Sequence, residues 1–296
     1  MSRRAAQRSA LPEHPARPGR ADCPHRPHRP FRRTGRRAVA ALAGAVALTG
    51  SAITAGVTLP TAGAAAAWPA PSGSKPVPAT IPVAAGTPYD GGMKRHYGTG
   101  DLGDGGQDEG QAPLFALADG AVLKNVVLGS PAADGVHCQG SCTLQNVWWE
   151  DVGEDAATFK GKSSSAVYTV TGGGARKASD KVFQFNGAGR LTITGFQVSD
   201  FGKLVRSCGN CSTQYKRTIV VDDVDVTAPG GSIAGINTNY GDTATLRAIR
   251  VHGDSNRKIK PCVRYTGNNT GAEPVQTGSG PDGTYCRYTA SDITYR

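Results

Sequence analysis

At 296 residues the chain has room for one large or two ordinary domains, and 33 basic against 23 acidic residues give it a formal charge of +10. The excess is local: residues 1–67 hold eleven of the basic and two of the acidic residues, leaving the remainder close to neutral at 22 against 21. A nucleic-acid partner therefore loses its main support, and any attraction for an acidic ligand must come from clustering within the chain.

The first 37 residues are rich in Arg and Pro, and an Ala-rich apolar run follows from Ala38 to about Leu59. It closes on small residues, Ala62-Gly63-Ala64-Ala65. A basic segment, an apolar segment and a small-residue end make a secretory signal peptide over 1–67, with an overlong basic region. Either the true start lies further in, or the Arg pairs at 32–33 and 36–37 form a twin-arginine signal. The run is too weakly apolar for a membrane anchor, so the mature form is expected off the membrane; a monomer is the expected state. Residues 68–86, rich in Pro and Ala, read as a linker or extended lead-in, and 87–296 as the folded domain.

Cys23 falls in the leader, and six cysteines remain: Cys138, Cys142, Cys208, Cys211, Cys262 and Cys286. An even number in an exported chain points to disulfides, and the sequence-local set 138–142, 208–211 and 262–286 is the expected pairing. Cys208 and Cys211 have no second Cys or His pair with which to make a zinc site, which favours a staple.

From Thr87 onward no amphipathic helical period is present. Short apolar or alternating runs are separated by Gly, Asn, Asp and Ser, the pattern of an all-β chain. The runs at 121–128, 142–149, 191–198, 217–226 and 244–251 resemble one another. With Leu123, Leu144, Ile193, Ile219 and Leu246 taken as equivalent, most steps are 21 to 27 residues. The long step of 49 after Leu144 leaves room for one more coil near Tyr168-Thr169-Val170. One strand motif per unit without intervening helices predicts a solenoid, a parallel β-helix, rather than a sandwich with its shorter spacing. Asn125 and Asn146 occupy the same slot in successive units and read as stacked structural residues at a bend.

The segment 142–160 organises the chemistry. Its first half is a strand pattern; its second half packs Glu150, Asp151, Glu154 and Asp155 into six residues. Like charges so close repel, and a hard cation would relieve them. Stacked coils place residues one repeat apart at neighbouring positions, ~4.8 Å apart. Asp134 precedes Asp155 by 21 residues, so their carboxylates are expected side by side, with Glu154 beside them, as oxygen ligands for calcium. Asp108 and Glu109 could add a carboxylate from the coil before. Lys181 and Lys203 stand 22 residues apart, again one coil, and Arg206 lies three residues after Lys203. Acid on the earlier coils and base on the later ones suits a polyanion bridged by a cation. Asp222, Asp223 and Asp225 read as a solvated strand edge more readily than as another calcium loop. His137 and His252 lack paired metal-ligand spacing and read as structural residues.

Five stretches together resemble the pectate lyases of polysaccharide lyase family 3. These are Ala133-Asp134-Gly135-Val136-His137-Cys138, the run Asn146 to Ala156, Ser179-Asp180-Lys181-Val182-Phe183-Gln184, the run Phe201 to Cys211, and Gly235-Ile236-Asn237-Thr238-Asn239-Tyr240-Gly241-Asp242. The likeness extends from about Thr87 to Tyr295. It implies a single-domain right-handed parallel β-helix, secretion, calcium dependence and cleavage of polygalacturonate by β-elimination. Carried over by motif, Asp134, Glu154 and Asp155 would bind calcium, and Glu109 and Asp180 would be supporting acids at the substrate. Lys181, Lys203 and Arg206 would be the catalytic and substrate-binding cations. Phe185 stands where a histidine is common in the family, which would remove one polar contact from the cleft.

The residue types fit that chemistry. The proton beside a uronate carboxylate is weakly acidic, and a metal ion on the carboxylate would stabilise the charge left behind. The base must be strong: Lys181 is the first choice and Arg206 the rival, with an alkaline optimum expected from an amine that ordinarily titrates near ~10.4. Two alternatives stay open, a polygalacturonase-type hydrolase working through two carboxylates and a non-catalytic calcium-dependent module for acidic polysaccharides.

Overall fold

The computed structural model describes residues 67–103 and 110–296. The leader expected over 1–67 lies outside the described residues save for Ala67, and so do Asp108 and Glu109.

The described residues carry nineteen strands and three short 3-10 turns and no α-helix. With one exception the strand pairs are parallel, and each strand pairs with its equivalent in the next coil, as the repeats predict. One ladder joins Phe115–Leu117, Val136–Cys138, Asp155–Phe159, Gly174–Phe185, Gln197–Ser207, Arg217–Asn237 and Lys260–Thr266. A second joins Ala121–Leu128, Cys142–Trp149, Val167–Thr171, Gly189–Thr194, the first part of Arg217–Asn237 and Thr243–His252. The chain winds as a parallel β-helix, and the expected extra coil is the one through Val170.

Inside, one residue per coil stacks on the next. Leu123, Leu144, Val170, Ile193, Val221 and Leu246 form one register column, all 0 or 1% exposed. Ile219, taken as this column's member from the sequence, pairs instead with Leu191 and Ala244. The alternation Ile219, Val221 puts both residues inward, so a shift of two keeps the buried face and the sequence cannot separate the registers. Phe159, Tyr168, Phe183, Phe185, Trp149 and Phe196 pack edge-on and tilted with centroids 5.0 to 6.4 Å apart. Each such buried side chain contributes about 1.5–3 kcal/mol.

Residues 68–86 are part of the stack. Ser74–Val77 pairs with Arg95–Gly98 and Ile81–Val83 with Phe115–Leu117. Val77 and Val83 are buried, and Pro76 and Pro82 are tolerated because each of these strands has a partner on one side alone. The other end closes with the one antiparallel pair, Lys260–Thr266 against Val275–Ser279. All three expected disulfides form: Cys138–Cys142, Cys208–Cys211 and Cys262–Cys286.

A bend recurs in the left-handed region of backbone space, at Asn125, Asn146, Asp223 and Ala248 with φ of 53°, 54°, 55° and 47°. The two asparagines stack as expected. Asn146 Nδ2 donates to Asn125 Oδ1 at 2.9 Å, and Trp148 Nε1 donates to Asn146 Oδ1 at 2.7 Å. Asn tolerates this conformation at lower cost than most side chains, and here its amide also links the coils.

Candidate active site

The four acids of 150–155 have separate fates. Glu150 forms a two-pronged pair with Arg95, at 2.6 and 2.8 Å, and Asp151 lies 3.6 Å from Lys177. Glu154 and Asp155 turn into the first ladder, where the strand Asp155–Phe159 begins. Asp134 meets them from the preceding coil, and the three carboxylates bring ligand oxygens within 4.8 Å of one another. The approach depends on Gly135: its φ is +50°, and a Cβ there would lie 2.2 Å from the Ala156 carbonyl oxygen.

The three acids are buried, at 6, 8 and 2% exposure. Asp134 Oδ1 and Asp155 Oδ1 are buried with no hydrogen-bond partner. Burial, with Glu154 and Asp134 adding repulsion, pushes Asp155 up to about 9 despite the opposing Lys181. Three clustered, desolvated carboxylates, two of whose oxygens lack a donor, suit a hard divalent cation, so the residues present could hold a metal ion.

The cations stand on the following rungs of the same ladder. Asp155, Lys181 and Lys203 are register partners in successive coils. Lys181 Nζ lies 3.6 Å from Glu154 and 3.7 Å from Asp155, and it donates to Asp180 at 2.7 Å. Lys203 Nζ donates to the other oxygen of Asp180 at 2.5 Å. Burial works against the Lys181 ammonium, yet Asp155, Asp180 and Glu154 outweigh it and raise its pKa above the ordinary lysine value. Burial likewise opposes the Asp180 carboxylate, but the two lysines hold its pKa below the ordinary range.

Arg206 lies one rung from Gln184, 7% exposed. Its guanidinium donates to Asn237 Oδ1 at 2.9 Å and to the Ser207 carbonyl, and it stacks on the Tyr265 ring at 4.0 Å. Burial pulls its pKa down to about 10. Asn237 is fully buried, its amide donating to the Cys208 carbonyl at 2.9 Å, which fixes the oxygen that receives Arg206. Lys181, Lys203, Arg206, Gln184 and Tyr265 line an open cleft of about 420 Å³, and Lys181 and Gln184 continue into a recess of about 80 Å³ over the acids.

Of the residues singled out from sequence, Asp134, Glu154, Asp155, Asp180, Lys181, Lys203 and Arg206 converge on this one face; Glu109 lies outside the described residues. His137, which reads from its spacing as an ordinary structural residue, lies against the acids. Its Nε2 donates to Asp134 Oδ2 at 2.6 Å, and Lys160 donates to its Nδ1 at 3.0 Å. Burial lowers the Lys160 pKa even though Asp134, Asp155 and Glu154 oppose that shift. The same coil spacing that linked Asp134 to Asp155 puts His137 beside Thr158, so the signal was in the sequence. Phe185 is fully buried against Phe159 and Tyr168, so the cleft loses no polar contact through it; its neighbour Gln184 lines the cleft. Asp223 and Asp225 form no calcium loop: they pair with Arg250 and, for Asp225, with His252, at 2.7 Å each.

The sequence model of the pectate lyase family matches residues 65–272. Among curated proteins, probable pectate lyase E of Neosartorya fischeri is 47% identical over 226 residues, covering 75% of this chain and 85% of its own. Pectate lyase E of Emericella nidulans is 46% identical with the same coverage. Among solved structures, the catalytic domain of pectate lyase PelI from Erwinia chrysanthemi superposes with a TM-score of 0.63 at 31% identity, over 76% of this chain and 98% of that one. PelI in complex with tetragalacturonic acid superposes with the same score at 32% identity, over 75% and 70%. A family match over most of the chain, near half-identity to fungal relatives and a shared coil stack lead to one conclusion: the chain belongs to the pectate lyase family.

Proposed function

We propose that this pectate lyase is secreted, binds calcium on Asp134, Glu154 and Asp155, and cleaves polygalacturonate by β-elimination with Lys181 as the base. The carrying observation is the in-register column Asp155, Lys181, Lys203, which sets three clustered buried carboxylates, with Asp134 Oδ1 and Asp155 Oδ1 lacking a hydrogen-bond donor, one rung from an amine. In the reaction the base takes the hydrogen on C5 of a galacturonate unit. The electron pair becomes the C4–C5 double bond, the C4–oxygen bond breaks, and the departing oxygen takes a proton from water. Bound at the acids, calcium would neutralise them, draw charge from the uronate carboxylate and weaken the field that keeps Lys181 protonated.

The chain's own groups then divide the work. Lys203 and Arg206 bind uronate carboxylates, Arg206 through a guanidinium positioned by the Tyr265 ring and by its bond to Asn237 Oδ1. Asp180 accepts from both lysines and holds them at one spacing. Arg206, whose pKa burial lowers to about 10, is the alternative base. Because Lys181 must lose its proton before it can accept another, the rate is expected to rise into the alkaline range. Glu109 is retained as a supporting acid at the substrate.

Export is supported by the leader-like sequence and the three disulfides. Among the described residues no helix is long and apolar enough to cross a membrane.

The test is to incubate the protein with polygalacturonate and follow near-ultraviolet absorbance with and without a chelator. Lyase action produces an absorbing unsaturated product that the chelator suppresses. Chain shortening without absorbance would mean hydrolysis, and binding without shortening a non-catalytic module.

A further inference from the structure

A second cavity, of about 400 Å³, lies outside this cleft and is bounded by Gly230, Asp254, Asn256, Lys258 and Ile259. The Asp254 carboxylate is turned to the backbone, accepting from the amides of Lys258 at 2.9 Å and Ile259 at 2.8 Å. Ile259 leads directly into the strand Lys260–Thr266, whose first residue continues the catalytic column. Lys203 is in register with Ser232, and Ser232 with Lys260.

Register partners in a parallel ladder carry their side chains on the same face. Lys260 therefore stands on the face of Lys181 and Lys203, two rungs beyond Lys203, ~9.6 Å along the axis. Ser232 between them is small and buried, a low floor over which a chain can lie. Other cations on these coils have internal partners: Lys203 has Asp180, Arg250 has Asp225 and Arg264 has Asp282. Lys260 is exposed and makes no side-chain hydrogen bond or ion pair among the described residues.

We propose that Lys260 forms a distal subsite for the carboxylate of a further uronate unit, with Lys258, two residues away, adding charge beside it. The inference rests on the reading of the cleft as a polygalacturonate site. An extended 1,4-linked chain lying along the axis advances about one sugar per rung. A chain held between Lys181 and Lys203 would therefore bring its next-but-one unit to Lys260, and a trimer held at the acids would stop short of it.

The experiment compares the wild type, Lys260→Ala and Lys260→Glu for affinity toward polygalacturonate and trigalacturonate, measured by calorimetry alongside the ultraviolet assay. Lys216→Ala, an exposed cation on another part of the surface, is the charge control. The subsite predicts that Lys260→Ala weakens binding of the polymer roughly three- to fivefold, Lys260→Glu more, with a smaller change for the trimer. Equal losses on polymer and trimer, no loss on either, or the same loss in Lys216→Ala would overturn it. The two readings separate cleanly. A wild type that yields no unsaturated product sinks the lyase reading, whereas the length dependence of affinity decides the subsite.

Discussion

Two clusters of charge sit on this coil stack, and they are built in opposite ways. At Asp223, Asp225, Arg250 and His252 the carboxylates face cations in direct contact: Arg250 reaches both aspartates at 2.7 Å and His252 reaches Asp225 at the same distance. Burial raises the Asp225 pKa, but Arg250 and His252 outweigh it and leave the group below the ordinary value. At Asp134, Glu154 and Asp155 the carboxylates face one another, two oxygens have no donor, and Asp155 is pushed up to about 9. The first arrangement lowers the energy of the folded chain and asks for nothing further. The second raises it and becomes sensible when a positive ion arrives. Lys181 at 3.6 and 3.7 Å and His137 at 2.6 Å offset this cluster only in part; a folded protein keeps such a cluster where function calls for it, and the difference between the two sites supports the proposal that this one does the chemistry.

The sharpest way to break this contrast is at Lys181. Lys181→Ala should cut turnover of polygalacturonate by roughly 10²–10⁴-fold or more while the circular dichroism spectrum and thermal midpoint stay near those of the wild type. Near-normal turnover would move the base to Arg206 or off this face altogether.

Next comes Asp155. A carboxyl whose folded pKa lies above its unfolded value contributes stability that is complete below 3.8 and disappears as pH rises toward about 9. The metal-free protein should therefore melt progressively lower across that window, and calcium should reverse the fall. Asp155→Asn should flatten the pH dependence and abolish most of the calcium response. The paired cluster should show the opposite slope: Asp225, with its lowered pKa, contributes stability at neutral pH that is lost as pH falls through its folded value.

Arg250→Met tests the compensated site. It should cost roughly 1–3 kcal/mol in urea unfolding, because Asp225 keeps only His252, and it should not change the calcium response. The smallest effect is expected at Asn146. Asn146→Ala loses the bonds to Asn125 and from Trp148 and keeps a left-handed backbone, for about 1–2 kcal/mol. Asn146→Gly should recover the backbone part of that loss.

The sequence made the site legible where coil length is constant. Asp134 to Asp155 and Lys181 to Lys203 are separated by one turn of nearly equal length, so spacing alone predicted both neighbours. The step that joins the two pairs, Asp155 to Lys181, is longer because the chain detours through an exposed loop at 162–165. That loop's length follows no rule, so the acid and the base were brought together by expectation of a shared face rather than by arithmetic. The split of the acidic run was not legible either. Glu150 and Asp151 look like Glu154 and Asp155 in sequence, and their separate fates depend on Arg95 and Lys177 waiting on other coils. His137 shows the opposite failure. Its one-coil match to Thr158 was available, but a single imidazole without a spaced partner carries little weight until Asp134 and Lys160 are seen against it.

The most direct test is a calcium-soaked crystal examined for anomalous scattering. A peak enclosed by the carboxylates of Asp134, Glu154 and Asp155, within reach of a uronate held by Lys181 and Lys203, is the predicted result. A calcium-dependent enzyme whose peak lies away from those three residues would contradict the account.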